Sequence, residues 1–316
     1  MADKIAGFIG IDTSCYTTSG AILDKQGNLL ADVRIPLRVK PGGRGLAQSE
    51  MVFQHVRNLP QVFSQLKESL PVSVRPAAIG VTACPRPVED SYMPAFLAGE
   101  SCAMTLAALY ETPVYRFSHQ ENHILAGIWS AQGPDSPRFL AIHVSGGTTE
   151  AVLASTAGPG FQIEPLGESL DLHAGQFIDR IGVALGLSFP AGPHLEKLAA
   201  ACESPELVPT AVIKNNISFS GPESHVLRLI QKGCRPEAIA RGVEHCIAES
   251  LSLAAQRAAE TAGLSEVLWV GGVMSNRYIR LHVAAQLSQA GIKTYFPAKE
   301  YSPDNAVGAA FFALRH

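Results

Sequence analysis

Two short stretches, "AGFIGID" near the start and "RFLAIHV" from Arg138, are almost continuously apolar or glycine, the pattern of strands buried on both faces. Each runs into a polar turn, "TSCYTTSG" in the first case and "SGGTTE" in the second. Two further apolar segments follow each turn: "AILD" and "LLADVRIPL" around "KQGN", then "AVLASTAGPG" and "FQIEPLGESL". The spacing predicts strand, hairpin, strand, hairpin, strand, and the same order returns roughly 130 residues later. Behind the first triplet, "SEMVFQHVRNLPQVFSQLKESL" and "YMPAFLAGESCAMTLAALYE" have helical spacing, with "PAAIGVTA" and "PVYRFS" as buried strands. Behind the second come a long amphipathic helix, "AIARGVEHCIAESLSLAAQRAAETAG", a strand "EVLWVGGV", a helix "SNRYIRLHVAAQLSQAG" and a strand "KTYFP". A helix in "AVGAAFFALRH" ends the chain.

A duplicated βββαβαβα pattern resembles the two-lobed arrangement of the actin, sugar-kinase and Hsp70 superfamily. The expected fold is therefore α/β and actin-like (ASKHA), two lobes around a nucleotide cleft. The expected division is residues 1–116 with 305–316 in one lobe and 117–304 in the other. A length of 316 residues, too great for one ordinary core, agrees with two domains. Composition narrows the class further. With 47% hydrophobic and 17% charged residues the chain reads as a soluble globular protein. Its net charge of −3 supplies no global field for nucleic acid, so any RNA contact has to be local or shared. One basic window exists, with Arg34, Arg38, Lys40 and Arg44 in "RIPLRVKPGGR"; it is either a phosphate contact or a solvated hairpin. The six cysteines form no CxxC pair and no segment has the length of a membrane span, which points to reduced thiols, a cytoplasmic location and no membrane association.

Glycine, serine and threonine in a tight turn expose N–H groups and hydroxyls that can hold an anion, although ordinary hairpins favour the same residues. Ser145, Gly146, Gly147, Thr148 and Thr149 are such a turn. In "VLWVGGVMSNRYIR" a buried strand ends at Gly271 and Gly272 and a helix opens near Ser275 or Asn276. Paired glycines admit a flat ligand closely and a helix start offers N–H groups, so this junction suits an adenosine; a ligand-free turn would look the same. Gly192 in "GLSFPAGPH" is a second glycine wall. In "GESLDLHAGQFIDR", Asp171, Gly175 and Asp179 are four apart, which places them on one side of a helix with Gly167 and Glu168 as the turn before it. A carboxylate there can accept ribose hydroxyls or anchor a hydrated cation, or simply be solvated.

The richest chemistry lies in "SHQENHILAG". Ser118 followed three residues later by Glu121 is a capping box, so a helix starts here. His119 and His123 are then i and i+4, with Cβ atoms about 5–6 Å apart, close enough for both rings to reach one metal. A zinc-protease site needs glutamate directly after the first histidine, and Gln120 stands there. A core or surface histidine pair is the alternative. Asp304, between Pro303 and the last helix, is the candidate third ligand or else the acid capping that helix.

Taken together, "GIDTSCYTTSGAILD", "HQENH", "SGGTTE", "GESLDLHAGQFIDR", "SFPAGP", "ISFSG", "GGVMSNRYIR" and "SPDNAVGA" resemble, in order, the signatures of the TsaD family of tRNA threonylcarbamoyl-adenosine enzymes, once labelled glycoproteases. The resemblance implies one divalent metal per subunit, iron or zinc, held by His119, His123 and Asp304. It implies threonylcarbamoyl-adenylate, or another adenine nucleotide, against Ser145 to Thr149, with Asp179, Gly192 and Asn276 completing the pocket. It further implies transfer of the threonylcarbamoyl group to N6 of the adenosine beside the tRNA anticodon, with tRNA and proteins of the threonylcarbamoyl pathway as partners. Self-association into a dimer is left open, and no catalytic acid or base is identified.

The sequence departs from that pattern. Tyr16 and Thr17 stand where the family has acidic residues, and Thr148 replaces a histidine. Leu172, His173 and Gln176 replace an acid, an alanine and a glutamate; the glycine-rich turn after "IGVTA" has become "CPRPVEDSY"; and "ISFSGPES" ends differently. The expected protein is thus a divergent relative. The rival readings are a non-catalytic adenine-nucleotide-binding partner, or a kinase or carbamoyltransferase on the same scaffold.

Overall fold

The computed structural model describes residues 5–39, 46–158 and 160–316. The chain forms two compact units, one of Met1–Gln132, Thr156–Gln162 and Pro303–His316, the other of Gly133–Ser155 and Ile163–Ser302.

In the first unit, β1 (Ile5–Thr13), β2 (Thr17–Leu23), β3 (Leu29–Pro36), β4 (Val74–Cys84) and β5 (Val114–Ser118) form one sheet in the order β3-β2-β1-β4-β5. The β1–β2 and β2–β3 pairs are antiparallel, as hairpins require, whereas β4 and β5 arrive by helical crossovers and pair in parallel. Side chains alternate across a strand. Ile9 and Ile11 of β1 and Ile79 and Val81 of β4 therefore share one face, packed with Leu59, Val62 and Leu66 of α1 (Gln48–Ser69) and Ala98 and Ala103 of α2 (Ala95–Tyr110). On the opposite face Gly10 and Gly80 are register partners. A Cβ at Gly10 would lie 2.1 Å from Ala306 O, and one at Gly80 2.0 Å from Ala309 O. The backbone of the last helix, α9 (Val307–Leu314), is thus seated directly on a strip of sheet that carries no side chains.

That seat decides where α3 (His119–Ala131) goes. Gly308 of α9 faces Asn122, whose carbonyl oxygen would be 2.1 Å from a Cβ there, and the Asn122 Nδ2 donates to Asn305 O at 2.7 Å. The two helices cross at contact distance, so residues 117–132 belong with the first unit rather than with the second lobe expected from sequence. Residues 303 and 304 also lie in the first unit.

The second unit repeats the topology. Its sheet, of β6 (Arg138–Val144), β7 (Thr149–Ala157), β8 (Gly160–Glu168), β11 (Glu266–Val270) and β12 (Lys293–Tyr295), is ordered β12-β11-β6-β7-β8, the same sequence of connections as in the first sheet, with residues 156–162 at the β7–β8 end counted in the first unit. Leu140, Ile142 and Val144 of β6 and Val267 and Trp269 of β11 share a core with Ile247, Leu251 and Ala254 of the long helix α7 (Pro236–Ala262). Helices α4 (Ala174–Ala184), α5 (Gly192–Ala199), α6 (Ser220–Gln231) and α8 (Arg277–Gln289) and the two-residue strands β9 (Val212–Ile213) and β10 (Asn216–Ile217) complete the unit. Two local expectations change. Gly167 and Glu168 end strand β8 instead of forming a turn before a helix. Asp171 precedes α4 and does not share its face with Asp179, because its carboxylate accepts from Leu172 N, Ser218 Oγ and Phe219 N and so organises the turn.

All six cysteines are free thiols, and among the described residues no helix is long and apolar enough to cross a membrane.

Candidate metal centre

Helix α3 begins as its sequence dictates. Ser118 is the N-cap; its Oγ accepts from Glu121 N, and the Glu121 carboxylate accepts from Ser118 N, closing a reciprocal box. Glu121 therefore faces the helix start and the neighbouring Phe161 N, away from the two rings, which removes the protease geometry. His119 and His123 lie one turn apart with their Nε2 atoms 3.2 Å from each other.

Asp304 closes the group. Its Oδ1 is 3.3 Å from His123 Nε2 and 3.7 Å from His119 Nε2. It does not cap α9, whose N-cap position is Ala306; the Val307 N at the helix start donates instead to Asn305 Oδ1 at 2.9 Å. Ser14, in the turn after β1, donates to Asp304 Oδ2 at 2.6 Å, which leaves Oδ1 turned to the imidazoles. Behind His119, the buried Asp12 at the end of β1 accepts from Nδ1 at 2.8 Å and also from Thr82 Oγ1 at 2.8 Å. A ring that gives its Nδ1 proton to a carboxylate presents its Nε2 lone pair, the usual arrangement behind a metal-bound histidine.

The electrostatics follow from these neighbours. Burial alone would lower the pKa of His119, but the Asp12 carboxylate, aided by Asp304, raises it well above its ordinary range. Burial would raise Asp304, yet the two imidazoles hold it well below the usual carboxylate range.

Three donors bound at about 2.0–2.1 Å in a tetrahedron lie about 3.3 Å apart. The three separations here bracket that distance, so in spacing the group could hold a zinc or ferrous ion. Two imidazoles and one carboxylate are a donor set both ions accept. Asp12, Ser14 and Thr82 were not singled out by the sequence reading. The available signal was an acid at the very end of an otherwise apolar buried strand, in "FIGIDTS".

The other expected site residues all lie in the second unit. Ser145 to Thr149 form the β6–β7 turn, in which Ser145 Oγ accepts from Gly147 N at 3.3 Å and Thr148 N at 3.1 Å. Gly146 and Gly147 are exposed, and a Cβ on either would meet nothing within 4 Å. The first turn of α4 abuts this loop: Gly175 N donates to Ser145 O, and a Cβ at Gly175 would lie 2.7 Å from Gly146 N. Gly271, at a φ of 97°, packs against Val144 O at the base of the same turn. These residues form one group with Gly272, which follows in a single 3-10 turn. Asp179 and Gly192 form another, joined through Ala191 N, which donates to Asp179 Oδ1 at 2.7 Å. Asn276 is occupied: its Oδ1 caps α8 by accepting from Ile279 N, and its Nδ2 donates to Glu244 Oε1 at 2.6 Å. Glu244 is fully buried, and burial, which outweighs Asn276 and Arg241, pushes its pKa up to about 7. In the basic window Arg34 is paired with Asp32, while Lys40 and Arg44 lie outside the described residues.

Comparison with solved structures identifies the fold. HypF from T. kodakarensis superposes with a TM-score of 0.65 at 14% identity, covering 99% of this chain and 48% of that one. The activator of 2-hydroxyisocaproyl-CoA dehydratase from Clostridium difficile, solved with bound ADPNP, gives 0.56 at 15% identity over 98% of this chain and 94% of the other. A ROK family glucokinase from Streptomyces griseus, in complex with glucose and AMPPNP, gives 0.52 at 11% identity over 97% and 99%. At such identities the likeness is one of fold, and that fold is the actin-like, duplicated α/β class. The sequence itself says more. The pattern of the family described as tRNA N6-adenosine threonylcarbamoyltransferase matches residues 37–311, a span that contains the histidine pair, the β6–β7 turn and the aspartate that closes the triad, and the chain therefore belongs to the TsaD family.

Proposed function

We propose that the protein is a metal-dependent threonylcarbamoyl transferase that moves the group from threonylcarbamoyl-adenylate to N6 of the adenosine beside a tRNA anticodon. The observation that carries this reading is the His119, His123 and Asp304 triad, with donor separations of 3.2, 3.3 and 3.7 Å, in a chain of the TsaD family. A divalent cation held there supplies Lewis acidity toward a carbonyl or phosphate oxygen. The chain's own contribution is orientation: Asp12 fixes the His119 ring, and Ser14 turns one Asp304 oxygen toward the donors. In the second unit the open Gly146–Gly147 backbone and the Gly271–Gly272 junction suit the phosphate and nucleoside of the adenylate. In the transfer the N6 amine attacks the carbamoyl carbon, the new C–N bond forms, the C–O bond to the adenylate phosphate breaks, and AMP and a proton leave.

The purified, metal-loaded chain, threonylcarbamoyl-adenylate and unmodified tRNA, with proteins of the pathway added, should yield threonylcarbamoyl-adenosine by nucleoside mass spectrometry. His119→Ala and Asp304→Ala should abolish it. A folded, metal-loaded wild type that gives no product in this mixture refutes the reading.

A second reading is favoured by the replaced acids. Tyr16 is 52% exposed where the family has a carboxylate, and Gln176 serves a capping box with His173. On that reading the protein binds adenine nucleotide without turnover, and calorimetry would find the nucleotide bound while no product forms.

A further inference from the structure

We infer a second divalent-metal site, made by His245 and Glu249 of α7 with His282 of α8 and suited to zinc. It lies wholly within the second unit, apart from the triad described above. His245 and Glu249 are i and i+4 and project from one face of α7. The adjacent helix α8 brings His282 to them, so that one ligand atom from each of the three residues lies within 4.8 Å of the other two. His282 Nε2 is 2.5 Å from Glu249 Oε1, and the two imidazole rings meet edge to face with centroids 5.1 Å apart.

The surroundings hold these side chains in place. Tyr278, one turn before His282, sets its hydroxyl 3.0 Å from His245 Nδ1 and stacks along the His282 ring. The Arg241 guanidinium lies over the Tyr278 ring, 4.1 Å from its centroid. The His282 side chain is 17% exposed and that of Glu249 35%, so an ion can enter and keep water as a further ligand. Two imidazoles and a glutamate are a donor set typical of zinc sites with an open position. The two rings belong to different helices, so this is no simple one-helix chelate. A bound ion would tie α8 to α7, the same helix pair joined by Asn276 and Glu244. The inference stands independently of the proposed reaction.

The test is zinc competition against a chromogenic chelator, on full-length protein first stripped of metal. The wild type should take two equivalents of zinc, and His119→Ala and His282→Asn one each. Glu249→Gln should weaken the second equivalent about 100-fold or more and Tyr278→Phe about tenfold, the scale of outer-sphere losses. Zinc should raise the melting temperature of His119→Ala but not of the double variant that adds His282→Asn. Melting in chelator checks that each variant folds, and Glu249→Gln, at the more exposed position, carries the test should His282→Asn not fold. Zinc uptake that is unchanged by both His282→Asn and Glu249→Gln, or that is lost entirely in His119→Ala, overturns the inference.

Discussion

Asp12 tests the proposed metal centre without being one of its three candidate donors. Asp12→Asn keeps the shape of the side chain, so Thr82 retains its acceptor at 2.8 Å and His119 Nδ1 still meets an oxygen. What is lost is the negative charge behind the ring. Outer-sphere carboxylates of this kind are worth about 10–100-fold in metal affinity, or about 1.4–2.7 kcal/mol. The substitution also places an amide N–H₂ where the buried Oδ2 has no hydrogen-bond partner, an unsatisfied donor costing about 1–3 kcal/mol of fold stability. The two effects separate experimentally. Zinc competition in the His282→Asn background reads the triad alone, and urea unfolding of the metal-free protein reads the fold. The expected result is a dissociation constant raised by about 10–100-fold, beyond any change in metal-free stability. An affinity within about twofold of wild type would show that Asp12 does not act through His119, and the orienting role assigned to it would fail.

Other consequences follow from the packing. Gly308→Ala puts a methyl against the Asn122 carbonyl and should cost about 1–3 kcal/mol in thermal unfolding while weakening metal binding; full affinity would mean that the α3–α9 crossing does not position Asp304. Ser118→Ala removes the buried cap of α3 and should cost about 1 kcal/mol, measured the same way. Glu244 predicts a pH dependence. Its carboxyl titrates near about 7 in the folded protein against an ordinary 4.5, so the unfolded chain ionises first and stability falls as pH rises between those values, by about 3 kcal/mol in all. Glu244→Gln should flatten that slope between pH 5 and 7 in urea titrations, and an unchanged slope would locate the titration elsewhere.

Much of this protein was legible from residue order alone. Strand triplets, their hairpins and the helices between them follow from periods of two and 3.6, because each element buries one face whatever it packs against. The capping box of α3 and the i,i+4 histidine spacing are likewise local and needed no partner to be recognised. Local pattern misled at Asp171, whose spacing from Asp179 suggested one helix face although its carboxylate closes a turn with Ser218 and Phe219, nearly fifty positions on. It was silent on Asp12 and Ser14, whose partners in the proposed metal centre are 107 and 290 residues away, and on His245 and Glu249, whose proposed third ligand, His282, arrives only with α8. The placement of Asp304 was the decisive tertiary event. Two register-paired glycines let α9 lie against the first sheet, a third lets it cross α3, and only that seating carries a carboxylate from the end of the chain to a histidine pair in its middle. Sequence determines which donors exist and how they are spaced along a helix; which of them share a metal is set by long-range packing, because coordination acts over a few ångströms and is indifferent to distance along the chain.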